Sequence, residues 1–389
     1  MIIEEGRQYA HHFLKTVSYL SDGRVLKWVN YLQRSGIYSV VSIVEDKNKK
    51  SVYQEDNVIV DHNELWFRKF FKKRRGYLFK VFEYLIQTIK QIKKYDKSDF
   101  LIFHDVQQYA NLFIVIFLGL KGKRRIIWDL HELPHVSLEH FWITRKFIEY
   151  ILNRVDLIVY TNQERRNYIL EKYNVQDQGR FFILNNFPDH HYNQALKNDL
   201  PNAVASWLKG RNYILWMGAA NDARNFKIFL ETFKDFKDRA CLVLIGKVLP
   251  NFKNEIQELI SEGVAYNDFV PQSEIIRYVD NAFFSVVLYK DTSPNNYLCE
   301  PNRLYQLVNR NIPCIVGHNP TLKYVIQQTS GGFVLEDDGS SHENMNYAFH
   351  EMFEDRNKYS ENLRSIAIEK RFCWDNQFEL LIHTLRNLQ

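Results

Sequence analysis

Residues 295–316, NNYLCEPNRLYQLVNRNIPCIV, predict a loop, the start of a short helix and a buried strand in succession. Pro301 suits the first helical position, because its missing N–H group would have no intrahelical partner there. The free amide groups of the first turn, at Asn302 and Arg303, should then point out of the helix and attract an anion. Residues 314–316 are a short apolar run typical of a parallel strand. We therefore expect an anion site beside a buried strand.

The helix that follows Pro301 has an apolar face and a polar face. Its apolar side chains recur at helical spacing and should pack on a sheet. Its polar side chains Arg303, Gln306 and Arg310 share another face. We expect this polar face to be free to meet a ligand.

The same stretch resembles the donor-site segment of retaining glycosyltransferases of the GT-B fold, in the large group called family four. The pattern in that group is roughly Asn-Tyr, four residues, Pro-Asn-Lys-Leu-Phe-Glu and then a Gly-x-Pro strand entry. Arg303 keeps the charge of the lysine, whereas Gln306 replaces the glutamate that usually holds the donor ribose, so that contact would become neutral. The matching positions here are Asn296, Tyr297, Pro301, Asn302, Arg303, Leu304, Tyr305, Gln306, Ile312 and Pro313.

The composition limits the class of protein. A chain of 389 residues with 46% apolar residues is long enough for two domains with sizeable cores. The net charge of +5 is compatible with phosphate-bearing ligands or an anionic membrane and does not indicate nucleic-acid binding. The 4 cysteines lack Cys-x-x-Cys spacing, so we expect neither a zinc knuckle nor disulfides, which fits the cytoplasm. The longest apolar run, residues 112–120, is too short to span a bilayer.

The first predicted strand, at residues 17–20, leaves residues 1–15 as an appended arm. The arm contains the pair His11 and His12. We expect no metal there and predict no role for the pair, because no third ligand lies nearby in the sequence.

Residues 16–44 predict a strand, a tight loop, a helix and a second strand in succession, which is a β-α-β unit. The loop residues Asp22, Gly23 and Arg24 resemble the Asp-x-Arg opening of the same glycosyltransferase group, where this loop faces the cleft. The resemblance implies an acceptor-side role. An ordinary surface turn explains these residues equally well.

A further apolar strand runs into the sequence DLHELPH at residues 129–135. These residues satisfy His-Glu-x-x-His, the pattern of one class of zinc proteases. That site needs both histidines one turn apart on a helix, and Pro134 interrupts such a helix. We therefore predict a loop at the carboxyl end of a parallel strand, where α/β folds place their ligand sites.

The same segment resembles the Asp-x-His-Glu signature of the glycosyltransferase group. His131 matches the strand-end histidine that faces the donor sugar in that group, and Asp129 and Glu132 flank it. The resemblance implies that these three residues form the catalytic set. A neutral imidazole at His131 would hydrogen-bond a sugar hydroxyl or help to order the reacting groups.

Residues 66–97 are rich in cations: eleven Lys or Arg stand against two acids and are interleaved with aromatic residues. The densest cluster is residues 68–75. Such a segment, on a predicted helix, indicates docking on an anionic membrane. A solvated helix with its aromatic side chains in the core explains it equally well, and a nucleic-acid groove is not indicated, since no binding module surrounds it.

Residues 188–210 lose apolar periodicity and mark a connection between domains, with the boundary near residue 200. The second domain opens with a strand that ends at Gly218, where a glycine lets the backbone approach a ligand. Arg224 stands at the next helix start and would clamp a diphosphate. The loop resembles Gly-Ala-x-Asn-x-Gly-Arg-Gly of the same group, which Gly218, Asn221 and Arg224 match.

Two glycines of that family loop are replaced here by Ala223 and Asn225, which should stiffen it. Gly246 ends the next strand, and in the resembling fold such a turn lies beside the nucleotide base. The alternative for Arg224 is an ordinary exposed arginine at a helix start.

We predict the α/β class, with two Rossmann-like domains of the GT-B fold that face each other across a cleft. The likeness covers nearly all of residues 16–389. The predicted parts are an arm at 1–15, an acceptor domain at 16–200, a donor domain at 201–373 and a C-terminal helix at 374–389 that packs back on the first domain.

The resemblance implies transfer of a sugar from a nucleotide sugar to a glycan or lipid-linked acceptor, with retention at the anomeric carbon. A UDP-sugar is favoured over a GDP-sugar as co-substrate. We expect no metal or other cofactor, because Arg224 and Arg303 would take up the charge of the departing diphosphate. The expected location is the cytoplasm, peripheral at the inner face of the membrane. The predicted donor-binding residues are Gly218, Asn221, Arg224, Gly246, Asn296, Tyr297, Pro301, Asn302, Arg303 and Gln306.

Two other functions fit the same fold. A catalytically silent partner subunit is favoured by Gln306 and by the stiffened loop after Gly218. A nucleotide-sugar epimerase would need well-placed acids, for which Asp129 and Glu132 are the candidates.

Overall fold

The computed structural model describes residues 6–14, 22–45, 51–55, 57–67, 77–135, 139–176, 179–367 and 371–388. The chain forms two compact units: unit 1 is Met1–Asn185 with Asn376–Gln389, and unit 2 is Asn186–Asp375. The division falls earlier than the predicted boundary near residue 200, because the segment after Asn185 is bonded into unit 2. Asn309, for example, donates a hydrogen bond to Oδ1 of Asn193 at 2.8 Å.

Unit 1 contains an eight-stranded sheet covered by helices. Its strands are β1 (Gln8–Leu14), β2 (Ile37–Glu45), β3 (Ser51–Glu55), β4 (Val58–Glu64), β5 (Phe100–His104), β6 (Arg125–Leu130), β7 (Leu157–Tyr160) and β8 (Phe181–Ile183). The spatial order is β3-β4-β2-β1-β5-β6-β7-β8, and all neighbours are parallel except β3 with β4. The helices are α1 (Gly23–Arg34), α2 (Tyr77–Lys94), α3 (Tyr109–Phe117), α4 (Trp142–Leu152) and α5 (Gln163–Lys172).

The predicted N-terminal arm is wrong for residues 8–14, which form β1 in the middle of the sheet between β2 and β5. The two histidines of this strand are fully buried. Each has a partner: Nε2 of His11 lies 2.7 Å from Oγ of Ser42, and Nδ1 of His12 lies 2.9 Å from Nε2 of His104. The strand predicted at 17–20 lies outside the described residues.

Unit 2 contains a six-stranded, fully parallel sheet. Its strands are β9 (Tyr213–Met217), β10 (Cys241–Ile245), β11 (Val264–Asn267), β12 (Phe284–Val287), β13 (Cys314–Val316) and β14 (Gly332–Val334). The spatial order is β11-β10-β9-β12-β13-β14, so the direction of winding reverses between β9 and β12. The helices are α6 (His190–Gln194), α7 (Asn202–Leu208), α8 (Phe226–Phe236), α9 (Pro250–Leu259), α10 (Gln272–Val279), α11 (Pro294–Tyr297), α12 (Asn302–Asn309), α13 (Pro320–Thr329) and α14 (His342–Arg364). The last helix of the chain, α15 (Trp374–Asn387), belongs to unit 1 from Asn376 onward.

The strands of unit 2 are apolar on both faces, as expected of a parallel sheet between two layers of helices. In β9, Ile214 and Trp216 face one core and Tyr213, Leu215 and Met217 face the other. In the part of the chain that the structure describes, no helix is both long and apolar enough to span a membrane.

Candidate functional site

The first candidate site lies in unit 2, at the strand ends where the winding of the sheet reverses, which is where open α/β sheets bind ligands. Gly218 follows β9 and Gly246 follows β10. Their φ angles are 108° and 132°, a backbone conformation that residues other than glycine rarely adopt. A Cβ atom on Gly246 would collide with the backbone of Gly218. Both positions therefore require glycine, because the two backbones pass directly against each other.

A substitution tests this packing. Gly246→Ala should lower the free energy of unfolding of unit 2 by about 1 to 3 kcal/mol, through the positive φ angle and the collision with Gly218. The matched control is Gly263→Ala, whose φ angle is 121° and whose Cβ would meet nothing closer than 4.0 Å. Urea denaturation of both variants should show the larger loss at Gly246; equal losses would mean that the close approach to Gly218 is unimportant.

Two guanidinium groups converge on the strand-end glycine. A Cβ on Gly218 would run into Nη1 of Arg224 and would lie 3.1 Å from Nη1 of Arg303. Both groups also lie over the ring of Tyr289, with distances from Cζ to the ring centroid of 5.2 Å for Arg224 and 5.1 Å for Arg303. The structure thus brings together the two cations that were predicted to bind phosphate.

The buried member of this pair is Arg303, with only 8% of its surface exposed. Its Nη1 donates to the carbonyl of Met217 and its Nη2 donates to the carbonyl of Leu288 at 3.2 Å, so its orientation is fixed by the ends of β9 and β12. Burial lowers its pKa to about 10, which still leaves it protonated at neutral pH. Among the described residues, neither Arg303 nor Arg224 forms an ion pair with a carboxylate. Two converging positive charges without a counter-ion favour an anionic ligand.

The helix start predicted at Pro301 lies one residue later. Pro301 is the N-cap of α12 in an extended conformation, and Asn302, the first helical residue, is exposed. The side chain of Pro301 does not cap the first turn. Among the described residues, the amide of Leu304 donates to the carbonyl of Pro301 at 3.1 Å, whereas the amides of Asn302 and Arg303 donate no hydrogen bond and keep the free character that an anion site needs.

The expectation of an open polar face on this helix is wrong. Gln306 is only 7% exposed. Arg310 forms a buried two-point ion pair with Asp280, at 2.6 Å and 2.9 Å, and also donates to the carbonyl of Ala195 at 2.7 Å. The helix sits in the core of unit 2, so a polar side chain there either has an internal partner or lines the site.

The loop after Gly218 keeps a tight bend despite its lost glycines. Asn225 takes up the left-handed conformation, φ 48°, which asparagine tolerates better than most residues, and its amide donates to the carbonyl of Asp338 at 2.9 Å. The buried Oδ1 of Asn221 has no hydrogen-bond partner in the described structure. It is therefore free to accept a hydrogen bond from a ligand.

The predicted residues Asn296 and Tyr297 lie in α11 and are tied to this site by Asn319, which sequence reasoning missed. Nδ2 of Asn319 lies within 3.2 to 3.4 Å of the carbonyls of Tyr289, Asn296 and Tyr297. The sequence signal for Asn319 was its place between a strand and Pro320, where a helix start is expected. Asn319 is fully buried, so we regard it as a positioning residue.

The second candidate site lies in unit 1, at the carboxyl end of β6, and is centred on Asp129. Its buried carboxylate accepts three hydrogen bonds from Arg24, at 2.7 Å from Nη2 and 3.1 Å twice from Nε, and one from Nδ1 of His104 at 2.9 Å. Burial alone would raise its pKa, but the charge of Arg24 and these hydrogen bonds outweigh burial and hold the pKa well below its usual range. Asp129 is therefore a fixed negative charge and a poor proton acceptor.

Two further buried histidines, His104 and His12, continue the hydrogen-bond network of Asp129 into the sheet. We had predicted no role for His12. Because the ionised Asp129 must accept from Nδ1–H of His104, Nε2 of His104 is left to accept from Nδ1–H of His12 at 2.9 Å. Nε2 of His12 lies 3.4 Å from Oγ of Ser39. Burial and the neighbouring His104 lower the pKa of His12 well below its ordinary value. The sequence did offer one indication of this network, because His104 is a histidine at the end of an apolar strand.

His131, the predicted catalytic residue, lies beside this network with its Nδ1 3.6 Å from Oδ2 of Asp129, within ion-pair range. Burial is the largest single influence and lowers its pKa, but the polar contact and charge of Asp129 together with the charge of Asp105 outweigh it, so the pKa of His131 is raised overall. The two carboxylates therefore stabilise the imidazolium form of a ring that we expected to be neutral. Nη1 of Arg165 donates to the carbonyl of His131 and holds the loop in place. Glu132 is exposed.

The three predicted acceptor-side residues, Asp22, Gly23 and Arg24, have different structural roles. Asp22 is the N-cap of α1 and accepts from the amides of Arg24 and Val25 at 3.0 and 3.1 Å, and Gly23 opens the helix. Arg24 is committed to Asp129 and to the carbonyl of Leu184 at 3.0 Å. We therefore assign Arg24 to positioning Asp129, while Asp22 remains a predicted acceptor-side residue.

The His-Glu-x-x-His segment does not form a helix, because the chain from His131 to His135 is irregular. The geometry of a zinc protease is therefore not present. Within the described ranges, no group of three or more His, Cys, Asp or Glu side chains is arranged to hold a metal ion.

Comparison with solved structures shows the same fold along the whole chain. Sucrose-phosphate synthase from Thermosynechococcus elongatus matches with a TM-score of 0.74 and 12% identity, over 98% of this chain and 100% of that chain. A glycosyltransferase from Rickettsia africae matches with a TM-score of 0.69 and 14% identity, over 98% and 99% of the two chains. HepE of Anabaena, in complex with UDP and glucose, matches with a TM-score of 0.65 and 12% identity, over 98% and 100%.

No protein-family model matches the chain, and no curated protein matches it by sequence. At 10% to 14% identity the structural matches establish the fold. The predicted fold class is confirmed: the chain is an α/β protein with two Rossmann-like units, built like the GT-B glycosyltransferases that it resembles.

Proposed function

We propose that the chain transfers a sugar from a nucleotide-sugar donor to a glycan or lipid-linked acceptor, with retention at the anomeric carbon and without a metal ion. The observation that carries this proposal is the convergence of Arg224 and Arg303 on Gly218, with no carboxylate paired to either guanidinium among the described residues. A nucleoside diphosphate matches this site in charge and in its need for several hydrogen-bond donors.

In this proposal Arg224 and Arg303 stabilise the negative charge that develops on the departing diphosphate. Arg303 is held by two backbone carbonyls before the ligand arrives, so little reorganisation accompanies the reaction. The free first-turn amides at Asn302 add hydrogen-bond donors directed at the same charge. These groups would do the electrostatic work that metal ions do in other transferases.

We assign to His131 the role of binding the donor sugar. Asp129 faces Nδ1 of this imidazole, which leaves Nε2 to form a hydrogen bond with a sugar hydroxyl. Arg24 and His104 fix Asp129 and therefore set the orientation of His131. We assign Glu132 no specific step, since it is exposed.

The donor is proposed to be a UDP-sugar, which the UDP complexes among the structural matches support. The buried Gln306 would meet the ribose through a neutral hydrogen bond. The acceptor class, the cytoplasmic location at the inner face of the membrane and the lack of a metal requirement remain predictions.

The test is a panel of UDP-, GDP- and other nucleotide sugars, with thermal denaturation and slow hydrolysis of the donor as readouts. One nucleotide class should raise the melting temperature in a concentration-dependent way and its sugar should be released slowly. Stabilisation without hydrolysis or transfer would favour the silent partner subunit. Failure of every nucleotide to stabilise the chain would overturn the assignment of unit 2 as the donor unit.

A further inference from the structure

Helices α3 and α4 of unit 1 pack side by side and expose large apolar side chains to solvent. We call this set the aromatic face: Phe117, Leu118, Phe141, Trp142, Ile143 and Phe147. Exposure reaches 64% for Phe117, 67% for Phe141 and 73% for Trp142, values at which burial within the unit provides little stabilisation. Monomeric proteins seldom expose apolar clusters of this kind without a binding function.

The aromatic face is continuous because Phe113 connects its two helices. The Phe113 ring centroid lies 5.5 Å from that of Phe117 on α3 and 4.4 Å from that of Phe147 on α4. Ile143 stands one helical turn before Phe147, and Trp142 precedes it at the helix start. The exposed side chains therefore form one surface.

Cations stand among and beside these apolar side chains. Arg145 and Lys146 lie between Ile143 and Phe147 and are exposed, and Lys123, also exposed, follows α3. The one acid of α4, Glu149, is 8% exposed and accepts from Lys146 at 2.8 Å, so it contributes little negative charge to the surface. Helix α3, YANLFIVIF, has no charged residue.

We propose that the aromatic face docks this chain on the surface of an anionic lipid bilayer. Phe141 and Trp142 would enter the region between headgroups and acyl chains, where aromatic side chains are favoured, while Arg145 and Lys123 meet lipid phosphates. Anionic headgroups complement the net positive charge of this surface. A second copy of the chain does not, since pairing this face with itself across a two-fold axis brings like charges together.

This surface differs from the membrane segment predicted at residues 66–97. Residues 68–76, which include the whole of the densest basic cluster at 68–75, lie outside the described residues. Phe79 and Phe82 are exposed on α2, and α2 packs against α3, so the part of the predicted segment that forms α2 adjoins the aromatic face. The inference about the aromatic face is independent of the proposed nucleotide site.

The test is co-sedimentation of the full chain with vesicles of phosphatidylcholine, with and without phosphatidylglycerol. The chain should bind only the anionic vesicles, and binding should weaken as salt is added. Trp142→Ser with Ile143→Ser should abolish binding, and Arg145→Gln with Lys123→Gln should weaken it roughly 25-fold, since each cation near an anionic surface is worth about a factor of 5.

The matched control is Phe269→Ser in unit 2, because Phe269 is also 73% exposed. It should leave vesicle binding unchanged, and circular dichroism should show that all variants are folded. Absence of binding to anionic vesicles, or binding that survives Trp142→Ser with Ile143→Ser, would overturn the proposal. So would light scattering that shows a dimer of the original chain which the same double substitution dissociates, because the occupant would then be a second copy.

Discussion

Asp129→Asn is expected to lower the free energy of unfolding of unit 1 by about 3 to 5 kcal/mol, the usual effect of leaving a buried charge without its partner. Arg24 is only 6% exposed and Asp129 is fully buried, so the guanidinium has no access to bulk water that would replace the carboxylate. Urea denaturation followed by tryptophan fluorescence measures the change. Glu262→Gln is the comparison, because Glu262 pairs with Lys237 at 2.7 Å on the exposed surface and should contribute little.

The loss of folding stability in Asp129→Asn should depend on pH in a direction that follows from the pKa values of Asp129 and His131. The pKa of Asp129 is depressed in the folded state, so its stabilisation is present above its unfolded pKa of about 4 and is lost as the pH falls through the folded value. The gap in stability between the original chain and Asp129→Asn should therefore widen as His131 is protonated below about pH 8, because Asp129 raises the pKa of His131 only in the original chain, and it should narrow below about pH 4 as Asp129 itself is protonated. A gap that keeps growing below about pH 4 would contradict the ionised state of Asp129.

The same variant tests the role of Asp129 in positioning His131. Loss of the carboxylate removes the charge that raises the pKa of His131, so this pKa should fall. Titration of the imidazole by nuclear magnetic resonance reports the change directly. If the pKa of His131 stays the same while stability falls, Asp129 acts on the fold through Arg24 alone.

Arg303→Met is expected to reduce kcat/KM for donor hydrolysis by about 100- to 1000-fold, the range found when one preorganised donor is removed from a developing charge. Arg224→Met should act in the same direction. Arg303→Lys keeps the charge but loses the planar fork that reaches two carbonyls, so it should recover only part of the activity. The measurement is the initial rate of sugar release from the nucleotide sugar found in the panel.

The control for these substitutions is Arg277→Met, which removes a surface arginine of unit 2 that pairs with Glu274 at 3.0 Å. Its rate should equal that of the original chain. Unchanged kcat/KM in both Arg303→Met and Arg224→Met, with folding intact, would refute the phosphate assignment.

The strands of unit 2 were predictable because fully buried parallel strands appear as short apolar runs: the strand that leads to Gly218 was predicted, and 314–316 was assigned with its observed bounds. The central strand β1 was missed, because His11 and His12 break the apolar pattern. Nε2 of His11 and Nδ1 of His12 have partners in Ser42 and His104, which lie far away in sequence. Only the tertiary structure reveals that such histidines are buried.

The candidate site, too, could be predicted only in part from the sequence. Spacing indicated Arg224 and Arg303 as separate cations at two helix starts, and the structure brings both against Gly218 and Tyr289. The polar face of α12 was expected to be open, but Arg310 has an internal partner in Asp280. Helical periodicity shows which side chains share a face; it does not show what another element places against that face.

The central claim, that Arg224 and Arg303 hold a diphosphate, is tested most directly by calorimetric titration with UDP and GDP beside the corresponding nucleosides. The account predicts that one diphosphate binds at least about 100-fold more tightly than its nucleoside, since two uncompensated guanidiniums meet the phosphates. This preference should disappear in the variant that combines Arg224→Met with Arg303→Met. Equal affinity for nucleotide and nucleoside in the original chain, or a preference that survives in the double variant, would contradict the account.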